Sequence, residues 1–169
     1  AFLATAASLA GAIMLFIEKP LNWYYGAHKI LAVDNLSAFI GIAIAAFAFL
    51  VTVYSFGFIE KSFGRYFSYV LMTLGSSLGV AFANDLMVLL SFWGFLGITL
   101  YLLVNFRGTD SSSAAAKKAM IMIGGTDAVM LFGICIIWTM TGTLSMDKIH
   151  LPLDGRLSYI AFLSLAIAA

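Results

Sequence analysis

The sequence predicts an all-α, polytopic bundle of about six transmembrane helices that forms a single domain over residues 1–169. Of the 169 residues, 63% are apolar and only 10% are charged, and the charges are gathered into short gaps between apolar runs. A hydrocarbon core about 30 Å thick needs roughly 20 apolar residues per helical crossing and expels charges to the helix ends. A mean hydropathy of +1.04 also leaves too little polar side chain to cover a water-soluble globule.

Six apolar runs follow one another along the chain. They cover about residues 2–17, 36–57, 66–83, 86–106 and 114–140, and a sixth begins near residue 157. Pro20 and Pro152 both fall in gaps, as is typical when the runs are continuous helices. The chain begins inside one run and stops about a dozen residues into another, short of the roughly 20 that a crossing needs. We therefore expect the sequence to be part of a longer polypeptide.

The basic residues in the gaps predict the orientation of the helices. The second and fourth gaps share one side of the membrane and carry five basic residues: Lys61, Arg65, Arg107, Lys117 and Lys118. The other side carries four: Lys19, Lys29, Lys148 and Arg156. Because short cytoplasmic loops are enriched in Lys and Arg, the second and fourth gaps are predicted to be cytoplasmic. Three aromatic residues before the second run fit either an interfacial aromatic belt or ordinary loop packing: Trp23, Tyr24 and Tyr25.

Asp127 is the one carboxylate deep inside a predicted span, about a dozen residues from either end of the fifth run. A charge at that depth costs roughly 2.5–3.5 kcal/mol, so the side chain is expected to face protein or water and to be a functional candidate. The small residues just before it permit a close helix approach or a water pocket. The alternative interpretation is a structural aspartate that holds two helices together.

Lys117 and Lys118 stand where the fifth run enters the membrane. Long cationic side chains at a helix end usually extend to the interface, and the alternative is that one points inward as a relay or gating charge. On an ideal helix Lys118 lies opposite Asp127, whereas Lys117 lies nearer its face but about 15 Å away along the axis. Neither lysine is therefore expected to pair directly with Asp127.

The remaining polar groups fit structural roles. Asp34 and Asp85 each precede a predicted helix, where a carboxylate caps the first turn and interacts favourably with the helix dipole. Trp93, in the fourth run, is also assigned a structural role. Cys135 sits in an apolar run and is interpreted as a buried, unreactive thiol.

Several functional classes find no support in the sequence. The net charge of +1 and the lack of a basic stripe with interleaved aromatics give no case for a nucleic-acid partner. Both histidines lie outside the apolar runs, and no zinc spacing, phosphate-binding glycine loop or nucleophile–base pattern occurs. We therefore expect no cofactor and no metal in this chain, and the lipid bilayer as one of its partners.

A succession of short strings makes a family resemblance visible. They are Val33-Asp34-Asn35-Leu36-Ser37, Ala83-Asn84-Asp85-Leu86, Phe92-Trp93-Gly94, Tyr101-Leu102-Leu103-Val104, Ala114-Ala115-Ala116-Lys117-Lys118-Ala119 with Asp127, and Thr141-Gly142-Thr143-Leu144. In order and spacing the chain resembles the antiporter-like membrane subunits of respiratory complex I, most of all the distal and largest one. Related subunits occur in membrane-bound hydrogenases and multi-subunit Na⁺/H⁺ antiporters. The resemblance extends from about residue 30 to the end.

The resemblance implies that these helices are the second to sixth, with the start of the seventh, of a subunit of about 14 helices. It implies translocation of H⁺, or possibly Na⁺, through buried charged groups. The electron transfer that drives this translocation would take place elsewhere in an oxidoreductase complex. The subunit itself would be non-catalytic and without a cofactor, and other membrane subunits would be its partners. Its location would be a bacterial or archaeal cytoplasmic membrane or the mitochondrial inner membrane.

Two positions depart from the family pattern. The family usually places a glutamate directly after the tryptophan of the fourth run, where this chain has Gly94. The distal subunit usually has an arginine three residues before the aspartate, where this chain has Gly124. Three alternatives stay open: a path rerouted through Asp127 with one of the lysines, a non-conducting structural or assembly subunit, and a specialised relative with another ion or catalytic module.

Overall fold

Six α-helices make up most of the computed structural model, which describes residues 1–18, 22–25, 28–57, 59, 62–151 and 155–168. In chain order they are α1 (Phe2–Ile17), α2 (Asn35–Ser55), α3 (Phe63–Phe82), α4 (Leu86–Val104), α5 (Asp110–Thr141) and α6 (Arg156–Ala168). The predicted all-α bundle is confirmed, and each helix coincides with one apolar run. The predictions that concern Lys19, Pro20, Lys61 and Pro152 lie outside the described residues.

Three of these helices are long and apolar enough to cross a membrane: Asn35–Ser55, Leu86–Arg107 and Asp110–Thr141. The span that begins at Leu86 extends α4 through a short 3₁₀ turn, Asn105–Arg107. The first and last helices are shorter apolar helices of 16 and 13 residues. The third has 20 residues and carries Arg65 in its first turn, together with several hydroxyl side chains.

Each helix packs against its neighbours in sequence, and small residues allow the closest approaches. A Cβ at Gly41 of α2 would lie 2.9 Å from the ring of Phe82 at the end of α3. A Cβ at Gly133 of α5 would lie 3.2 Å from the backbone oxygen of Ala161 in α6. These glycines therefore set the α2–α3 and α5–α6 distances.

A cluster of buried apolar residues lies between α4, α5 and α6. Its buried members are Leu86, Met130, Ile134, Ile137, Ala161 and Ala168. Trp93 packs against this cluster from α4, so the structure places its ring at the junction of the three helices.

A short antiparallel hairpin, β1 (Asn22–Tyr25) and β2 (His28–Ala32), was not predicted. The backbone N–H of Asn84 donates to the oxygen of Ile30 at 2.9 Å and joins the α3–α4 connection to β2. Asp85 and Ser145 form a further bridge to the α5–α6 connection. The three connections at this end of the bundle are thus hydrogen-bonded to one another.

Cys135 differs from its prediction. The thiol was expected to be buried, but the side chain is exposed on the outer side of α5. The buried stripe of this helix runs through Met130, Gly133, Ile134 and Ile137, and Cys135 is turned about 100° from Ile134. An apolar run in a membrane protein is apolar on its outer face too, so its composition does not identify the buried side.

Candidate functional site

Asp127 lies near the middle of the 32-residue α5. A helix of that length is about 48 Å long, which exceeds the roughly 30 Å thickness of the hydrocarbon core. The helix begins where the Thr109 hydroxyl accepts a hydrogen bond from the N–H of Ser112, and it ends at Gly142, whose φ of 66° favours glycine. Asp127 is therefore fixed near the middle of a helix that is well defined at both ends and is long and apolar enough to cross a membrane.

The carboxylate shares a face of α5 with residues that point into the bundle. Residues four before, three after and seven after a helical position lie on its side of the helix, which here means Ile123, Met130 and Ile134. Met130 and Ile134 are only 4% and 2% exposed. The Asp127 side chain is partly buried, and its Oδ1 atom is fully enclosed without a hydrogen-bond partner among the described residues. One oxygen of this acid is thus enclosed by protein, and its functional role stays a prediction.

A cavity of about 350 Å³ opens between α4, α5 and α6, and Asp127 itself is not among its lining residues. Thr126, the residue before Asp127, lines it, and the Thr126 hydroxyl donates to the backbone oxygen of Ile123 at 2.8 Å. The other lining residues are Trp93, Leu96, Gly97, Leu100, Ile123, Ile167 and Ala168. Among the described lining residues only Thr126 and Trp93 carry polar side-chain atoms, so the cavity offers water few hydrogen-bond partners.

The two lysines lie nearer the start of α5, and both are exposed. Lys117 lines a second cleft, formed with Ile98 and Tyr101 of α4. The structure does not bring either lysine to Asp127, since about 13–15 Å of helix axis separates them.

Gly94 and Gly124, the two departures from the family pattern, both border open space. A Cβ built at either position would meet no atom within 4 Å. Gly94 is partly buried in the middle of α4, and Gly124 is exposed one turn before Asp127. A methyl group would therefore fit at both positions without displacing a neighbour.

Asp34 and Asp85 cap helices. Ser37 N–H donates to Asp34 Oδ1 at 2.7 Å and the Asp34 N–H donates to Ser37 Oγ at 2.8 Å, so the two residues cap the start of α2 reciprocally. Hydrogen bonding by Ser37, first through its side chain and then through its backbone N–H, lowers the pKa of Asp34. Asp85 accepts from Met87 N–H at 2.9 Å at the start of α4.

A polar cluster at the hairpin end of the bundle was missed by the sequence argument. The Asn84 amide, only 8% exposed, donates to the Lys29 oxygen at 3.1 Å, and the Ser145 hydroxyl donates to Asp147 Oδ1 at 2.8 Å. The Ser145 hydroxyl is the main cause of a lowered pKa at Asp147, with Asn84 and the positive charge of Lys29 adding to it. The only signal was a polar pair, Asn84-Asp85, interpreted as a break between helices.

Comparison with known proteins gives a family match. Residues 83–169, just over half of the chain, match the family described as "NADH:quinone oxidoreductase/Mrp antiporter, TM". The Na(+)/H(+) antiporter subunit A1 of Staphylococcus aureus strain Newman is 29% identical over 136 residues, which cover 78% of this chain and 17% of that protein. The chain thus spans under a fifth of the length of the curated relatives it matches.

Solved structures share the fold. The archaeal membrane-bound sulfane sulfur reductase matches with a TM-score of 0.84 and 22% identity over 99% of this chain and 37% of that one. Respiratory complex I from Thermus thermophilus with bound NADH matches with a TM-score of 0.84 and 22% identity, over 99% of this chain and 38% of that one. The Mrp complex from Dietzia sp. DQ12-45-1b matches with a TM-score of 0.84 and 16% identity, over 99% of this chain and 34% of that one. These likenesses confirm the predicted membrane-embedded bundle.

Proposed function

Because the chain belongs to the NADH:quinone oxidoreductase/Mrp antiporter transmembrane family, we propose that it forms part of a membrane subunit that translocates an ion, with Asp127 as the group that takes up and releases it. The ion is H⁺ or Na⁺. The subunit works within a larger complex of membrane subunits, and any electron transfer that drives it takes place in other subunits.

The observation that supports this function most strongly is the Oδ1 atom of Asp127, which is enclosed and has no hydrogen-bond partner in the described part of the chain. A buried carboxylate oxygen without a donor costs free energy unless the group is protonated or meets water or a cation. A purely structural aspartate would find its donor on a neighbouring helix. The oxygen of Asp127 has no such donor in the described part of the chain, so its protonation or ion occupancy can change without breaking a hydrogen bond to protein.

Lys118 and Lys117 take a secondary part in this proposal. Both are exposed near the start of α5 and stand between the solvent and Asp127. Their positive charges would repel cations at that entrance while leaving proton exchange through water open. They would therefore tune access to the path and would not pair with the carboxylate.

A second function is supported by the two glycines. Gly94 and Gly124 stand where the resemblance expects a glutamate and an arginine, and neither position is closed by packing. A chain without these charges could serve as a non-conducting structural or assembly subunit of the same kind of complex. Asp127 would then hold helices in place and its charge state would not matter for transport.

Replacing the acid by its neutral isostere separates the two functions. The full subunit with Asp127→Asn is assembled in its complex and incorporated into vesicles, and the initial rate of ion transport is measured with a pH-sensitive dye, with and without Na⁺. Asp127→Glu serves as the conservative variant, and Asp110→Asn, an exposed carboxylate at the start of the same helix, as the matched control. Transport should fall to background in Asp127→Asn, persist in Asp127→Glu and stay normal in Asp110→Asn.

Three outcomes of this experiment differ in meaning. An assembled Asp127→Asn complex that transports normally would support the structural alternative and remove Asp127 from the path. A complex that assembles only with a carboxylate at this position, as in Asp127→Glu, would make the residue structural. The third outcome is an Asp127→Asn complex that assembles and keeps any electron transfer but no longer transports the ion. This outcome would support the ion-translocating function.

A further inference from the structure

A cleft of about 470 Å³ lies between α4 and α5, on a side of α5 away from its contacts with α6. Its lining residues are Ile98 and Tyr101 from α4 and Lys117, Met120 and Ile121 from α5. Ile98, Met120 and Ile121 are 45%, 39% and 76% exposed, so the cleft opens outward from the bundle.

The lining residues change along the length of the cleft. The two helices are antiparallel and are joined by the turn at residues 105–109. Of the lining residues, Tyr101 and Lys117 lie nearest that turn, and Ile98 and Ile121 lie deeper along the helices. The wall is almost wholly apolar, and the two lining residues that carry a hydroxyl or an ammonium group stand at the end nearest the turn.

The end of the cleft near Tyr101 and Lys117 falls at the level where lipid headgroups meet hydrocarbon. The 32-residue α5 is about 12 residues longer than the roughly 20 that a crossing needs, and its first nine residues include three serines, one aspartate and both lysines. The apolar part of the helix begins directly after Lys118. A lysine at this depth places its ammonium at the headgroup layer.

We propose that this cleft binds one anionic phospholipid, with the phosphate at Lys117 and an acyl chain along Ile98, Met120 and Ile121. The ammonium and the phosphate are complementary in charge, and the Tyr101 hydroxyl supplies a second polar group at the same end. Asp110 lies on the same face of α5 about 10 Å beyond Lys117, toward the turn. Its carboxylate therefore stands outside the cleft and does not meet the phosphate.

A lipid reporter inside the cleft tests this. In the full protein with its other cysteines replaced by serine, Ile121→Cys carries a bimane label, and the protein is placed in phosphatidylcholine vesicles that contain increasing fractions of brominated phosphatidylglycerol or brominated phosphatidylcholine. Bromine quenches the label only on contact. Quenching should saturate at a much lower mole fraction of phosphatidylglycerol than of phosphatidylcholine.

The lysine variants identify the headgroup contact. Lys117→Ala and Lys117→Gln should weaken the preference for phosphatidylglycerol about five-fold, the factor that corresponds to ~1 kcal/mol for one basic residue at an anionic surface. Lys117→Arg should keep the preference. Lys118→Ala is the matched control, because Lys118 is equally exposed on the same turn but does not line the cleft.

Each other outcome overturns the proposal. Equal quenching by both lipids would make the cleft an unselective part of the lipid-facing surface. An unchanged preference in both neutral Lys117 variants would assign the headgroup to other residues. A label quenched by neither lipid would mean that protein covers the cleft. Ion transport is not the readout, so this test is independent of the proposed role of Asp127.

Discussion

Gly79 of α3 allows the closest approach to α4, and adding a single methyl group there should weaken the bundle. A Cβ at this position would lie 2.6 Å from Cε1 of Phe92, with other ring atoms of Phe92 equally near. Overpacking of this kind costs typically 1–3 kcal/mol, while replacing glycine by alanine in a helix returns up to about 1 kcal/mol. We expect Gly79→Ala to lower the free energy of unfolding by ~1–2 kcal/mol.

The matched control is Gly75→Ala, one turn earlier on the same helix. A Cβ at Gly75 would meet no atom within 4 Å, so this variant keeps only the gain in helix propensity. Thermal unfolding of the purified full protein in detergent, followed by tryptophan fluorescence, should place Gly79→Ala below wild type and Gly75→Ala at or above it. Equal stability of the two variants would refute the claim that Phe92 packs on the Gly79 backbone.

Two further predictions concern the start of α2 and the middle of α4. Asp34→Ala removes the reciprocal cap and should cost about 0.5–2 kcal/mol at neutral pH. Ser37 lowers the pKa of Asp34 in the folded protein, so the free energy of unfolding of wild type should exceed that of Asp34→Asn by less as the pH falls below about 4. Chemical denaturation measures this, and an unfolding free energy with the same pH dependence in both proteins would contradict it. Gly94→Glu should assemble, because its Cβ meets no atom within 4 Å. An ionised carboxylate there should cost about 2.5–3.5 kcal/mol relative to Gly94→Ala, and failure to assemble, checked by native gel electrophoresis, would show that the position is closed.

The helices could be predicted from the sequence because length and hydropathy decide them. A run of roughly 20 apolar residues in a bilayer must satisfy its backbone internally, and a helix does so within one segment. The hairpin at residues 22–32 could not be predicted in this way. Its strands have four and five residues, and Trp23 and Tyr24 are exposed on β1. The second strand is held by hydrogen bonds from Asn84, more than fifty positions away in the chain.

The candidate site shows the same division. The depth of Asp127 and its separation from both lysines follow from helix geometry alone, so the sequence was sufficient for them. The enclosure of Oδ1 and the neighbouring cavity depend on how α4 and α6 lie against α5, which hydropathy does not encode. The prediction that Cys135 is buried was wrong for the same reason: all sides of a membrane helix are apolar, so hydropathy does not show which side faces the bundle.

The glycines at positions 94 and 124 bear on how an ion could reach Asp127. Side chains that carry charge would shorten the distance over which a proton must travel, and a Cβ at either position would meet no atom within 4 Å. On the function proposed above, an ion would reach Asp127 by way of the cavity that Thr126 and Gly97 line. Narrowing that cavity at Gly97, where a Cβ would already lie 3.0 Å from Ile123, should then slow transport in the vesicle assay even though no titratable group is changed.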